Sequence, residues 1–274
     1  MIASRPLTIA EIFDRTVTII VRRWRVVVAF AAIDATPSAL VTAFFRGHDQ
    51  TGPAAVLQLI VAVLFGSLAF SPLVRLGADP DPPNDVGRLL RLAVHDYGRS
   101  LGSWLLSYAV FLVVLAIAGI IAAGAALGVR LVLGPNGFLI TAVVGGLMVL
   151  AVLMPLFLVT TVAYANVVLE CVGPWRGLTS AAARIGKEAL PRTCLLGAAL
   201  LIVSLAPVFV VDSALRPLVT ATGMWWILLP EPYLVMMTGA AFAMVAGAVA
   251  AVDYRNRREG ADLHAVLDAA PSGS

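Results

Sequence analysis

The sequence predicts an all-α fold: a polytopic membrane helical bundle of six transmembrane helices, with three amphipathic helices at the cytoplasmic surface. Three observations lead there. Residues 53–74, 103–129, 137–169 and 232–252 contain no Asp, Glu, Lys or Arg. Each stretch is long enough to cross a hydrocarbon core of about 30 Å, which takes roughly 20 helical residues. The composition is 60% hydrophobic and 13% charged, against about 45–50% and about 25% in soluble domains. The apolar excess is gathered into blocks with charges between them, the pattern that membrane insertion requires. Finally, the basic residues separate by side once the spans are drawn.

The elements follow in chain order. A basic amphipathic segment over 9–24 opens with Thr8 and Glu11, spaced as a capping box. Ile9, Ile12, Phe13, Ile19, Ile20 and Trp24 share one side of its helical wheel, and Glu11, Asp14, Arg15 and Arg22 the other. A first span near 26–45 contains Asp34 and Pro37, and a second runs over 53–74. After the Pro/Asp-rich stretch Asp79–Asp85 comes a second amphipathic segment, 85–101, with Val86, Leu89, Leu90, Ala93, Tyr97 and Leu101 opposite Arg88, Arg91, His95 and Arg99. Spans near 103–127 and 138–163 follow. The fourth apolar run exceeds what a bilayer needs, so this helix is expected to tilt, bend at Pro155 or project. A third amphipathic segment, 175–190, is opened by Pro174 and closed by Pro191. The last spans fall near 195–215, with Pro207 inside, and near 233–252. Residues 1–263 read as a single integral membrane domain and 264–274 as a flexible C-terminal tail.

Each amphipathic segment precedes an odd-numbered span, and the segments start about 80–90 residues apart. The unit of amphipathic helix, span, short turn and span therefore reads as a degenerate threefold repeat. A helix with one apolar and one basic face suits a surface rich in anionic lipid.

Orientation comes from Lys and Arg. With the N-terminus inside, the inner segments hold Arg5, Arg15, Arg22, Arg23, Arg25, Arg75, Arg88, Arg91, Arg99, Arg176, Arg184, Lys187, Arg192, Arg255, Arg257 and Arg258, which is 16 of the 19 basic residues. Only Arg46, Arg130 and Arg216 fall outside. Both termini are thus expected in the cytoplasm. Tryptophans agree: Trp24, Trp104 and Trp175 lie near inner boundaries, Trp225 and Trp226 near an outer one. The net charge of +3 belongs to these loops and does not point to nucleic acid. No cleavable signal peptide is evident.

Three stretches carry a family resemblance. They are Pro6-Leu7-Thr8-Ile9-Ala10-Glu11-Ile12-Phe13-Asp14-Arg15 at the start, Glu170-Cys171-Val172-Gly173-Pro174-Trp175-Arg176-Gly177-Leu178 in the middle, and Asp253-Tyr254-Arg255-Asn256-Arg257-Arg258-Glu259-Gly260-Ala261-Asp262-Leu263 at the end. Together they resemble the bacterial glycerophosphoryl diester phosphodiesterase membrane-domain family, the last stretch being similar to its D-x-R-x-R-x-E-G-x-D-L ending. The resemblance implies a membrane module of a bacterial plasma membrane. A phosphodiesterase domain fused to such modules would need further soluble residues and a Glu, His and Asp metal set, neither of which is present here. No active site is carried over.

Candidate chemistry is sparse. Asp34 stands out because an ionisable group inside a span is costly and marks a functional hypothesis. Asp212 and Arg216, spaced i, i+4 on span five, and Glu231 at the mouth of span six form a possible outer rim. Asp253, Arg255, Arg257, Arg258, Glu259 and Asp262 form a charged cluster suited to a partner protein or lipid headgroups, or to salt bridges with Glu11, Asp14 and Arg15. Gly124-xxx-Gly128 and Gly239-xxx-Ala243-xxx-Gly247 permit close helix approach. No catalytic, cofactor-binding or metal-ligating set is recognisable: there is no G-x-S-x-G, P-loop, G-x-G-x-x-G or H-E-x-x-H, and Cys171, Cys194, His48, His95 and His264 lack ligand spacing. The leading expectation is a membrane-organising or partner-binding module without cofactor, in contact with the bilayer, another membrane or envelope protein, or anionic lipid. The alternatives are a small-solute or lipid transporter using the Asp34 carboxylate and a lipid-active membrane enzyme.

Overall fold

The computed structural model describes residues 7–45, 52–79, 85–134, 138–186 and 190–269. Among them every regular element is helical. Six helical stretches are long and apolar enough to cross a membrane: Trp24–Phe44, Pro53–Ala78, Tyr97–Gly128, Ala142–Leu169, Pro191–Thr222 and Trp225–Arg257. The architecture is that of a multi-pass membrane protein.

Local chemistry sets the helix limits. α1 (Ile9–Arg22) begins at the capping box: the Thr8 hydroxyl accepts from the Glu11 amide at 3.2 Å, and the Glu11 carboxylate accepts from the Thr8 amide at 2.7 Å. Arg23 separates α1 from α2 (Trp24–Phe44), which carries Pro37 in its interior. α3 spans Pro53–Ala78 and starts after Gly52, whose φ of 63° suits a residue without a side chain. α4 (Val86–His95) is capped by the Asp85 carboxylate, which accepts from the Gly87 amide at 2.9 Å. α5 (Tyr97–Leu133) and α6 (Phe138–Leu169) form a long hairpin. α7 (Pro174–Ile185) opens at Pro174 as the sequence predicts. Pro191 behaves differently from expectation. It closes no helix but sits in the first turn of α8 (Leu190–Thr222), where its missing N–H deprives no carbonyl of a partner. The last rod joins a 3₁₀ turn (Trp225–Leu228), the short α9 (Glu231–Val235), a π-helical turn (Met236–Ala240) and α10 (Ala241–Ala269). Its helical backbone continues past the sixth apolar run into the segment read as a tail.

Packing sorts the spans into two groups. α3, α6 and α10 contact one another and form the centre. α10 is the most enclosed: Ala241, Ala243, Val245, Ala246, Ala248 and Ala250 are all buried. α2 lies between α3 and the α9–α10 rod, α5 between α3 and α6, and α8 between α6 and that rod. Small residues allow the close crossings. A Cβ on Gly77 would sit 2.6 Å from the Val245 carbonyl oxygen and 2.8 Å from Ala248 Cβ. One on Gly197 would strike the Met154 backbone, and one on Gly247 the Thr161 methyl. A Cβ on Gly239 would sit 2.6 Å from the Ser204 carbonyl oxygen. The Gly239–Ala243–Gly247 series is thus used within the bundle, whereas Gly124 and Gly128 meet nothing within 4 Å.

The centre of gravity is uneven. α5 has 37 residues, about 55 Å of helix at 1.5 Å per residue. Ile117, Ile120, Ile121 and Leu127 on α5 and Val143, Val144 and Leu147 on α6 are exposed. This far half of the hairpin stands clear of the other spans with the apolar surface that hydrocarbon solvates.

Candidate functional site

The site begins with the spacing of polar groups on α2. Asp34, Ser38 and Thr42 follow one another at four-residue steps and so lie on one helical face. That face borders a cavity of about 210 Å³, whose other walls come from α3 (Gln58 and Phe70), α8 (Val208) and the rod from Glu231 to Ala240. Asp34 is at the middle of its helix, and Glu231 is where α9 begins, so the lining runs from mid-helix to helix end.

Two backbone irregularities flank the cavity. Pro37 lacks the N–H that would bond the Ile33 carbonyl, freeing one acceptor beside Asp34. Opposite, the π-helical turn of Met236–Ala240 widens the rod by one residue. Gly239 in that turn lets α8 approach it closely, and Tyr233 just before it lies 3.0 Å, hydroxyl to hydroxyl, from Thr36. The cavity wall is therefore held by direct contacts on both sides.

Asp34 Oδ1 is enclosed and, among the described residues, has no hydrogen-bond partner. A buried carboxylate oxygen without a donor carries a desolvation penalty of a few kcal/mol. Gly66 of α3 makes room for it: a Cβ there would lie 3.4 Å from Oδ1. Phe70, one turn further along, also lines the cavity and leads into an aromatic group of tilted rings, with Phe70–Trp104 and Trp104–Tyr108 centroids each 5.3 Å apart. The Thr42 hydroxyl donates to the Ser38 carbonyl at 3.2 Å, which leaves its oxygen lone pairs to accept.

The remaining candidates divide. Glu231 joins Asp34 on the cavity wall. Asp212 and Arg216 pair with each other along α8, one to two turns beyond Val208, at the same end as Glu231. At the opposite end, Asp253 is buried and holds Leu7, just ahead of α1: it accepts from the Leu7 amide at 2.9 Å and pairs with Arg192 at 3.3 Å and Arg257 at 2.9 Å. Both arginines also donate to the Leu7 carbonyl, at 2.7 and 3.1 Å. The tail cluster thus engages the main chain ahead of α1. Arg255 is half-buried on the same helix, and the side chains of Arg258, Glu259 and Asp262 lie outside the described residues.

Sequence reasoning missed a second buried cluster at that end. Asp96, between α4 and α5, pairs with Arg75 from α3 and with Arg99 at 3.2 Å. Arg99 also donates to the Cys171 carbonyl at 2.9 Å. Arg184 of α7 donates to Glu170 at 2.7 Å and to Asn166 at 2.9 Å. Each residue looked like an ordinary loop charge. The overlooked signal at the cavity was plainer: the four-residue polar step on α2. Among the described residues no group of three or more His, Cys, Asp or Glu is placed to hold a metal ion. Cys171, exposed, and Cys194, half-buried, are free thiols.

The fold and site define a multi-pass helical membrane protein with a carboxylate-lined cavity between its spans. No family model, curated protein or solved structure matches this chain.

Proposed function

We propose that the protein binds and moves a small solute through the Asp34 cavity, in the manner of a transporter that uses an intramembrane carboxylate. One observation carries this reading: Asp34, at the middle of a span, lines a space large enough for a small molecule, and its buried Oδ1 has no donor among the described residues. An ionisable group at that depth is retained against a substantial free-energy penalty. The polar step from Asp34 through Ser38 to Thr42 leads toward Glu231 at the helix end, so the cavity has a polar approach.

In the same reading the helix-capped end, with α1, α4 and α7, faces the cytoplasm of a bacterial cell, and the Glu231 end faces outward. The Lys/Arg census supports this. The three units form a degenerate threefold repeat. Support comes from a cyclic contact pattern: the first span of each unit packs on the second span of the preceding unit (α5 on α3, α8 on α6, α2 on the α9–α10 rod). Ion pairs follow the same cycle, from Arg75 to Asp96 and from Glu170 to Arg184, with Asp253 closing the ring on Leu7. α1, α4 and α7 serve as amphipathic surface helices. Ile12, Leu89, Ala93, Ala181 and Ile185 turn inward while Arg15, Arg22, Arg88, Arg91 and Arg176 stay exposed toward anionic headgroups. The resemblance to the glycerophosphoryl diester phosphodiesterase membrane-domain family is kept as part of this proposal.

A second reading, the partner-binding or membrane-organising module, draws on the α5–α6 hairpin. Its far half is apolar, exposed and longer than about 30 Å of hydrocarbon requires.

Electrical recordings on proteoliposomes separate the two. Carrier function predicts solute-dependent currents with at least one member of a panel of small ions and amino compounds, abolished by Asp34→Asn. Currents in Asp34→Asn equal to wild type, or none above empty liposomes with any solute, would dismiss it in favour of the module.

A further inference from the structure

We infer that the solute of the Asp34 cavity is a small organic ammonium ion; this rests on the carrier reading above. The lining decides the charge. Two carboxylates, Asp34 and Glu231, border the space, and among the described residues no Lys, Arg or His does. An anion would meet like charge in a poorly screened place. The other polar groups of the wall, the Ser38 and Thr42 hydroxyls and the Gln58 amide oxygen, can all accept hydrogen bonds, as N–H donors of a primary ammonium require.

Size and apolarity separate an organic cation from a bare metal ion. The cavity holds about 210 Å³, roughly seven times the volume of one liquid water, about 30 Å³. A metal ion needs oxygens converging at 2.0–2.6 Å from several directions, and among the described residues no set of three acidic or imidazole ligands exists. The remaining wall is hydrocarbon: Val208, Pro232, Val235, Met236 and Ala240. Phe70 borders the space as its aromatic residue, the side-chain type from which a substituted ammonium group gains cation–π attraction. Apolar wall, aromatic residue, the Asp34 carboxylate and a second carboxylate toward the mouth together fit an alkylated cation headgroup. Asp34 takes the charge, Phe70 the alkyl groups, and Glu231 attracts the cation on approach.

The experiment is a thermal-shift and calorimetric titration of the full chain in detergent at constant ionic strength. The probes are n-butylammonium, tetramethylammonium, sodium and calcium chlorides, and 3,3-dimethylbutanol as an uncharged alkyl analogue. The inference expects saturable stabilisation by the two organic cations, at least tenfold weaker apparent affinity in Asp34→Asn, and a smaller loss in Glu231→Gln. A far-hairpin variant, Ile120→Ala, should bind as wild type does, and Asp34→Glu, which keeps the charge, should retain part of the affinity. Equal binding of 3,3-dimethylbutanol would overturn the cation assignment, as would stabilisation by calcium or sodium alone. If the organic cations fail to bind while Asp34-dependent sodium currents persist in proteoliposomes, this inference falls and the carrier reading stands. If no probe responds to Asp34 in either assay, both fall.

Discussion

Residue-scale effects in this molecule are decided by burial. Asp96 has only 5% of its side chain exposed and is held between Arg75 and Arg99. Asp96→Ala removes the buried partner and strands the Arg75 guanidinium, which also reaches toward the Val168 carbonyl. Breaking a buried pair from one side costs about 3–5 kcal/mol. With Arg75 about a quarter exposed, a loss of about 3 kcal/mol is expected, visible as a clearly lowered Tm in detergent. The Asp212–Arg216 pair is the contrast, with side chains 32% and 55% exposed. Arg216→Ala should shift stability by no more than about 0.5 kcal/mol, the usual worth of an exposed i, i+4 pair. A large drop there, or none for Asp96→Ala, would mean that burial has been misjudged. Asp34 differs from both: its buried Oδ1 has no donor among the described residues, so Asp34→Asn is expected to leave stability unchanged or improve it while removing solute response. Melting and flux measured on the same preparation give the test.

At the scale of elements, glycine contacts set the helix spacing. α3 and α10 cross where Gly77 meets Val245 and Ala248, and no backbone atom there can yield to a side chain. Gly77→Val forces the two central spans apart, with a penalty of about 1–3 kcal/mol or more for overpacking. Gly124→Val on α5 meets open space and should be silent. Equal melting temperatures for the two variants would show that α3 and α10 do not cross this way. The same contrast explains what could be read from sequence. Helices were legible because charge-free runs and a capping box are local features: Thr8 and Glu11 lie three residues apart and form the box. The role of each small-residue series was not, because Gly124–Gly128 and Gly239–Gly247 carry the same local pattern and differ only in what packs against them. Asp34 was legible as a charge out of place, but its meeting with Glu231, 197 positions later, depends on α2 packing against α9. Pro191 was misread for a related reason. A proline that ends one helix and one that begins the next look alike until the intervening residues are placed.

For the molecule as a whole, the proposed ring of three units makes the chain ends partners. Asp253 binds the Leu7 amide, and Arg192 and Arg257 bind the Leu7 carbonyl. Elements from the beginning, the middle and the end of the sequence therefore meet at one buried carboxylate. Asp253→Ala should loosen α1 along with α10, since α1 rests on α10. Hydrogen exchange of the full chain in detergent would report it: amides of 9–22 and 245–257 should speed up together, while those of the α5–α6 hairpin stay unchanged. Acceleration confined to α10 would show that the ring is not closed by this contact. The orientation of that ring is open to a thiol probe. Cys171 is exposed at the helix-capped end, and Thr220 is exposed at the other end of α8. In sealed right-side-out vesicles an impermeant maleimide should spare Cys171 and modify a Thr220→Cys variant built in a Cys171→Ser background. Inverted vesicles should reverse the pattern. The opposite result would turn the Glu231 cavity toward the cytoplasm, and the cation it receives would then come from inside the cell.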